Sequence, residues 1–265
     1  MDELAKYNRD RWSELVDAKV AYSQPLVDYD EKKAAAYLEE KAEISRVGLK
    51  DFKGLDVLCL ASGGGQQTVC FGLLGANVTV IDFTPGQLEQ DRKMAQIYGY
   101  DLRIEEGDMR DLSRFADQSF DLIYQAYSIN FVPDPLPVIQ EAARVIRPGG
   151  DYFLQYGNPL WNMENSDWNG KGYPILQPYV QGQSSSPAAG PWDILQDDGS
   201  VRLVEGPKEF THTTGTLVNG LGTHGFMIYG MVERPIGDAK ASPGSWEHFT
   251  SYLPLWPGFW TKKST

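Results

Sequence analysis

Asp56-Val57-Leu58-Cys59-Leu60-Ala61-Ser62-Gly63-Gly64-Gly65-Gln66-Gln67 is the stretch whose reading decides the fold. An apolar run meets three consecutive glycines and then residues that read as helix. The pattern predicts a buried strand, a tight turn and a helix N-terminus. Glycine lets a backbone come close to a ligand, and a helix start offers bare N–H groups toward it. In open parallel sheets this turn sits in the ligand crevice, outside the carboxyl end of the first strand.

Downstream, strands and helices alternate. Leu55–Leu60 reads as the first strand, Gln67–Leu74 as a helix stopped by Gly75, and the β-branched run Asn77–Ile81 as the second strand, with Asp82 at its end. Pro85–Tyr98 reads as a helix, with Thr84 as its N-cap and Pro85 at the first helical position. Leu102–Glu105 is a short third strand running into Gly107-Asp108-Met109, and Phe120–Ala126 a fourth. Pro135–Val145 is a helix, Arg147-Pro148-Gly149-Gly150 a tight turn and Asp151–Tyr156 a fifth strand. Such alternation predicts parallel pairing with right-handed crossovers, hence a doubly wound sheet. Thr214–Leu221 then reads as a helix ended by Gly222 or Gly225, residues 235–245 as a loop, and Phe226–Glu233 and Leu255–Lys262 as strands. With no crossover helix between them, these two should pair antiparallel.

Upstream, Leu4, Tyr7, Trp12, Leu15 and Val16 form the apolar stripe of a helix. Ser23-Gln24-Pro25 breaks it, and a second helix runs from Glu31 to Val47, ending at Gly48. Residues 1–50 are therefore expected to form a helical lid; Trp12 and Tyr22 either pack on the sheet or border the ligand. Residues 158–212 interrupt the rhythm with Pro, Gly, Ser, Asn and Trp. They read as an inserted substrate cap with short strands such as Val201–Glu205 and an exposed loop at Gln183-Ser184-Ser185-Ser186-Pro187. Its rings, Trp161, Trp168, Tyr173, Tyr179 and Trp192, either fill a small core or line a pocket. Residues 51–157 and 213–265 make up the main domain.

Composition narrows the class. The chain has 265 residues, 42% of them hydrophobic, and a net charge of −12, which opposes a nucleic-acid partner. Met1-Asp2-Glu3 lacks the apolar core of a signal peptide, and no apolar run approaches the ~20 residues that span a bilayer, so a cytoplasmic protein is expected. Cys59 and Cys70 have no metal or redox spacing and read as reduced core thiols.

Three features meet at the crevice. The glycine turn faces a carboxylate or phosphate, Asp82 lies beside it with a carboxylate suited to two ribose hydroxyls, and Gly107-Asp108-Met109 offers a carboxylate and an apolar surface to a purine. A dinucleotide fingerprint wants a third glycine where this chain has Thr68. Taken with Arg144-Val145-Ile146-Arg147-Pro148-Gly149-Gly150, these elements resemble the class I S-adenosylmethionine-dependent methyltransferases of small-molecule type, closely over 54–157 and loosely beyond. The resemblance implies a Rossmann-like, seven-stranded, mostly parallel sheet of order 3-2-1-4-5-7-6 with the last strand antiparallel, and S-adenosylmethionine as cofactor. It implies that Ala61, Gly63 and Gly65 lie against the methionine part and that Asp82 holds the ribose. Phe83 would lie against the adenine, Asp108 in Gly107-Asp108-Met109 would accept from its amino group, and Met109 would pack on its ring. Gln125 and Ala126 would lie near the sulfonium. Where the family usually has an acidic residue this chain has Cys59, and where it has glycine this chain has Ala61; Ser62, Gln66 and Gln67 are candidates to hold the methionine end.

A sulfonium methyl is already activated, so the protein must align the reactants, exclude water and take a proton from the nucleophile. His212, at the junction of cap and last helix, is a candidate base or a surface or capping histidine; Tyr127 and Asn130, after the fourth strand, are further polar candidates near the methyl. His224 suits the end of its helix and carries no expected chemistry. The expected activity is methyl transfer to an O, N or C nucleophile of a small molecule, and the aromatic content suggests one with an aromatic or apolar part. The alternatives are an NAD-dependent oxidoreductase and a non-catalytic protein that binds the same cofactor. No metal is expected, and the oligomeric state is open.

Overall fold

The computed structural model describes residues 1–161, 167–184, 191–195 and 198–265; of residues 191–195, the side chain of Ile194 alone is described. Ser185, Ser186 and Pro187 of the expected loop, and the ring of Trp192, lie outside the described residues.

The central sheet is built from β1 (Asp56–Leu60), β2 (Asn77–Asp82), β3 (Leu102–Glu106), β4 (Phe120–Gln125), β5 (Ile146–Gln155), β8 (Phe226–Val232) and β9 (Gly258–Lys263). Its order is β3-β2-β1-β4-β5-β9-β8. The pairs from β3 through β5 are parallel, and β9 runs antiparallel to both neighbours, β5 and β8. The doubly wound order thus reverses beside β1, and the crevice opens where β1 and β4 end side by side.

β1 is apolar throughout because both faces of the sheet are covered. Leu58 and Leu60 enter one cluster with Val138, Ile139 and Ala142 of α5 (Leu136–Val145) and with Leu217 and Leu221 of α6 (Thr214–Thr223). Val57 and Cys59 face the other way, toward Cys70 and Phe71 of α3 (Gln67–Leu73) and Leu88 of α4 (Pro85–Tyr98). That second cluster also takes Ala34, Leu38 and Ala42 of α2 (Glu31–Ala42), and Trp260 Nε1 donates to Ala42 O. α2 is therefore part of the helical layer under the sheet. The part of the N-terminal segment lying elsewhere is residues 1–30, with α1 (Glu3–Asp17).

α1 meets the insertion. β6 (Pro191–Leu195) and β7 (Val201–Glu205) form an antiparallel hairpin, and Ile194 and Val204 pack with Leu15 and Val20, flanked by Trp12 and Ala18. Tyr7 Oη donates to Glu205 (3.2 Å), and Asn8 exchanges hydrogen bonds with the Lys208 backbone. Other rings of the insertion make a satellite core: Trp168 and Tyr173 surround His248, Phe249 and Tyr252 of α7 (Trp246–Tyr252), and Trp161 meets Trp256 edge to face.

Several boundaries differ from expectation. α2 stops at Ala42 because Glu43 turns left-handed (φ 48°), so it does not reach Val47. Arg147–Gly150 lies within β5, where pairing with β4 shifts between Phe120 and Leu122. α7 was hidden by its Pro/Gly-rich approach; the Ser245 side chain caps it by accepting from His248 N–H, and the last strand begins only at Gly258. Among the described residues no helix is long and apolar enough to cross a membrane.

Candidate active site

The glycine turn does not present bare N–H groups. Gly63 N–H donates to Asp82 Oδ2 (3.1 Å), and Gly64 and Gly65 N–H donate to the two oxygens of Asp91 (2.8 Å each). Asp91, on α4 and completely buried, also accepts from Thr68 Oγ1 (2.6 Å). The turn is thus clamped from below by a carboxylate that sequence reasoning passed over as one polar residue of a helix. Burial pushes Asp91 up to about 7, against the pull of these donors.

Glycine is required here by the protein itself. A Cβ on Gly64 would stand 2.7 Å from Gln87 Oε1, and one on Gly65 2.9 Å from both Met94 and Pro25. Both glycines have positive φ, 119° and 73°. Ala61 keeps a left-handed backbone as well (φ 47°), so the alanine standing where the family has glycine retains the glycine-like conformation. Above the turn, residues 22–26 form a strap: Leu26 N–H donates to Gly65 O, Gln66 Nε2 to Tyr22 O and Gln24 O, and Gln90 Nε2 to Ser23 O. Gln66 therefore holds the strap. Ser62, buried, donates to Leu60 O, and Gln67 is buried at the start of α3.

Asp82 is oriented by Gly63 N–H and by Thr84 N–H on its other oxygen (2.8 Å); burial raises its pKa. Thr84 makes no side-chain cap bond, and the Asp82 carboxylate receives its N–H instead. Beside it Gln87 Oε1 is buried with no hydrogen-bond partner, an acceptor facing Gly64 that calls for a donor. Phe83 is buried at the same edge. Gly107 N–H joins Asp82 O, and a Cβ there would collide with the Arg114 guanidinium. Asp108 is chelated by Arg110, whose Nη1 reaches Asp2 (2.7 Å). Asp2 is the N-cap of α1, and the Arg110 bond lowers its pKa to about 2. The purine end of the crevice is thereby tied to the first turn of α1.

Gln125 departs from expectation. It is fully buried, donating to Met109 Sδ and Ser128 Oγ and accepting from Tyr152 Oη. Its amide is consumed in the core, where it steadies Met109 and, through Ser128 Oγ to Leu60 O, joins the ends of β4 and β1. Ala126 stays half-buried at the rim.

The next residue, Tyr127, has a left-handed backbone (φ 63°) and lies half-buried. Its hydroxyl donates to Glu209 Oε2 at 2.6 Å. Glu209 is 3% exposed, and burial pushes it up to about 7; burial and this carboxylate drive the Tyr127 phenol upward. Phe131 meets Tyr127 edge to face, and Trp12 of α1 meets Phe131 the same way at 5.4 Å.

His212 and Asn130 are structural in this arrangement. His212 is completely buried, with Nε2 2.9 Å from Ile129 O and Nδ1 2.8 Å from Gln181 Nε2. Those partners assign the proton to Nε2 and leave neither nitrogen free for a substrate. Burial lowers its pKa, so it is a neutral latch between insertion and β4 loop. Asn130 donates to Phe210 O and accepts from Gly157 N–H, tying the same return segment to the end of β5. Asp91, Gln87 and Glu209 are the site residues that sequence reading missed.

A sheet of this order, a glycine turn pinned to the end of β2 and the middle of α4, and an acidic rim define a Rossmann-like methyltransferase, and the chain belongs to the class I S-adenosylmethionine-dependent methyltransferases. A family model described as a methyltransferase domain matches residues 58–154. Across 240 residues the chain is 31% identical to the uncharacterized methyltransferase YbaJ of Bacillus subtilis, covering 88% of this chain and 91% of that one. It is also 34% identical over 110 residues to the ubiquinone biosynthesis O-methyltransferase of Xanthomonas oryzae pv. oryzae, 39% of this chain and 44% of that enzyme. Its fold resembles the solved S-adenosylmethionine-dependent methyltransferase from Mesorhizobium loti, with a TM-score of 0.56 at 19% identity over 82% of this chain and 95% of that one.

Proposed function

We propose that the chain binds S-adenosylmethionine in the crevice above β1 and β2 and catalyses methyl transfer to an oxygen, nitrogen or carbon nucleophile of a small molecule, with oxygen favoured by the Xanthomonas relative. The observation that carries this reading is the polarity of the glycine turn. All three glycine N–H groups already donate to the carboxylates of Asp82 and Asp91. A dinucleotide needs such groups free for its pyrophosphate, and two carboxylates behind them repel that anion. The same rim offers acceptors, Asp82 and Gln87 Oε1, to a cationic ligand rich in hydroxyl and ammonium donors.

Bound there, the cofactor supplies a methyl group activated by the sulfonium. Asp82, with each oxygen fixed by one backbone N–H, keeps lone pairs for two sugar hydroxyls. Gln87 takes a donor, Phe83 and Met109 give apolar walls, Gly107 makes way for the Arg114 guanidinium at the edge, and Asp108 shares its carboxylate between Arg110 and the base. Residues 1–30 and the insertion exclude water; Ala126 and Tyr127 face the acceptor. The net charge of −12 favours a small molecule over a polyanion.

Calorimetry with S-adenosylmethionine and with NAD tests the reading. Binding of the first alone is expected, and Asp82→Ala, losing hydrogen bonds to a charged acceptor at ~1.5–3 kcal/mol each, should weaken it by more than ~10-fold. Heat on adding NAD with none from S-adenosylmethionine would overturn it.

A further inference from the structure

Glu209 is not among the residues that the family resemblance implies for the cofactor crevice. It is a nearly buried carboxylate on the return from the insertion, and its hydrogen-bond partner is Tyr127 Oη at 2.6 Å. Tyr127 stands two residues after β4, and the adjacent Ser128 Oγ bonds Leu60 O, so the backbone at Tyr127 lies beside the end of β1 that opens into the glycine turn. Gly157, at the end of β5, closes the other side: a Cβ there would stand 3.3 Å from Tyr127 Oη. A left-handed tyrosine backbone costs ~1–2 kcal/mol and is kept only where the surroundings hold it.

We propose that Tyr127 and Glu209 form a proton relay for the acceptor, and that the acceptor is a phenolic hydroxyl. The inference rests on the methyl-transfer reading above. The acceptor oxygen gains the methyl as the carbon–sulfur bond breaks and the sulfonium charge is lost. The hydroxyl proton passes to Tyr127 Oη while the proton of Tyr127 passes to the Glu209 carboxylate, which ends neutral. Tyr127 is the catalytic residue, and Glu209, acting through it, positions and drains the relay.

The acceptor class follows from acidity. Burial and Glu209 keep the Tyr127 phenol protonated, so it hands its proton on in step with receiving one, and a phenolic acceptor gives up that proton far more readily than other hydroxyls do. An aliphatic alcohol is far less acidic, and an amine arrives as an ammonium that Asp82, Asp91 and Glu209 would keep protonated. The edge-to-face run of Tyr127, Phe131 and Trp12 gives a flat ring a surface to lie against. Burial holds Glu209 near neutrality, where it can take a proton at ordinary pH. The ionisable groups around the pair do not compete. Tyr22 lies within electrostatic reach of Tyr127, Lys208 lies over the Tyr7 ring, and Glu205 accepts from Tyr7 Oη. His212, on the neighbouring stretch, is neutral and spent on Ile129 and Gln181.

The test uses the full chain, S-adenosylmethionine carrying a labelled methyl, and two probes: catechol, which keeps its proton at neutral pH, and 4-nitrophenol, which is largely ionised in mildly alkaline buffer. Wild type should methylate both. Glu209→Gln and Tyr127→Phe should slow the catechol reaction by ~100-fold or more, the usual range for a lost general base, and abolish the limb of the pH–rate profile near neutrality. They should slow the 4-nitrophenol reaction by less than a tenth as much, because that acceptor brings no proton. Infrared difference spectra of wild type against Glu209→Gln, recorded without any acceptor, should show a protonated carboxyl signal that titrates near neutrality. Equal losses with both probes, an unchanged pH profile, or no such carboxyl signal would overturn the relay. Failure of wild type to methylate either phenol, with S-adenosylmethionine binding intact by calorimetry, would overturn the acceptor class and leave the methyltransferase reading standing; absence of cofactor binding would instead strike that reading.

Discussion

Replacing Asp91 by Asn tests whether the glycine turn is held from α4. The carboxylate accepts Gly64 N–H and Gly65 N–H at 2.8 Å and Thr68 Oγ1 at 2.6 Å, all inside the core. Asparagine keeps one acceptor oxygen and turns an NH2 toward donors, so one or two of the three must lose their partner. Each buried polar group left unsatisfied costs ~1–3 kcal/mol. Against this, the variant escapes the cost of ionising a carboxylate whose pKa is raised to about 7; that cost is absent below the unfolded value, grows as pH rises, and is complete above about 7. Near neutrality the two effects are of similar size, ~1–3 kcal/mol for each stranded donor against ~4 kcal/mol for a carboxyl raised from 3.8 to about 7, so Tm should move little and the loss should fall on the ordering of the turn. Cofactor affinity should fall by at least ~10-fold, because the turn must be reordered on binding. Thermal unfolding and calorimetry with S-adenosylhomocysteine at neutral pH read both quantities. Unchanged cofactor affinity in Asp91→Asn would refute the clamp.

Gly65→Ala should cost ~2 kcal/mol or more in urea unfolding, since its Cβ meets Met94 and Pro25 at 2.9 Å and its φ is 73°. His212→Asn should lower Tm by stranding Ile129 O or Gln181, yet leave the shape of the pH–rate profile as it is; a lost acidic limb would restore the histidine as a base. Glu209→Gln should gain stability relative to wild type as pH rises from ~4.3 to ~7, by up to ~3 kcal/mol, because the raised carboxyl pKa makes ionised Glu209 a burden that grows across this window. Parallel urea midpoints of the two proteins over that range would contradict it. Cys59→Asp would put a second carboxylate next to Asp91, so it should destabilise wild type by at least ~1 kcal/mol more than it destabilises Asp91→Asn; additive losses would place the two positions apart.

The sheet was legible because its signals are local. Strand β1 must be apolar on both faces to sit between two helical layers, and the glycines that follow can be read without knowing what touches them. Asn77–Ile81 and Pro85–Tyr98 carry their own periodicity and punctuation; the structure has the helix at those bounds and the strand one residue longer, through Asp82. Where two local signals conflicted, the reading slipped. The proline and glycines before Trp246 hid a capped helix, and the alanine- and charge-rich run after Glu31 gave no sign of the left-handed stop at Glu43.

The site was legible only as backbone. Which side chain answers which N–H depends on contacts far apart in sequence: Asp91 meets Gly64 across 27 positions, and Glu209 meets Tyr127 across 82. His212 drew notice because histidine titrates near neutral pH, but burial and two hydrogen bonds spend that property on structure. Glu209 drew none because a glutamate beside Lys208 reads as solvated surface, and only folding the insertion back over β4 buries it. The departure at Cys59 has the same origin. Burial drives that thiol well above its usual range and keeps it neutral, while Asp91 supplies negative charge from the adjoining helix. Besides Asp82, which answers Gly63, the glycine turn takes one buried carboxylate under Gly64 and Gly65. The strand and the helix can each provide it, but both together would force two like charges into one unsolvated space, so an uncharged residue at position 59 is the physical counterpart of the aspartate at position 91.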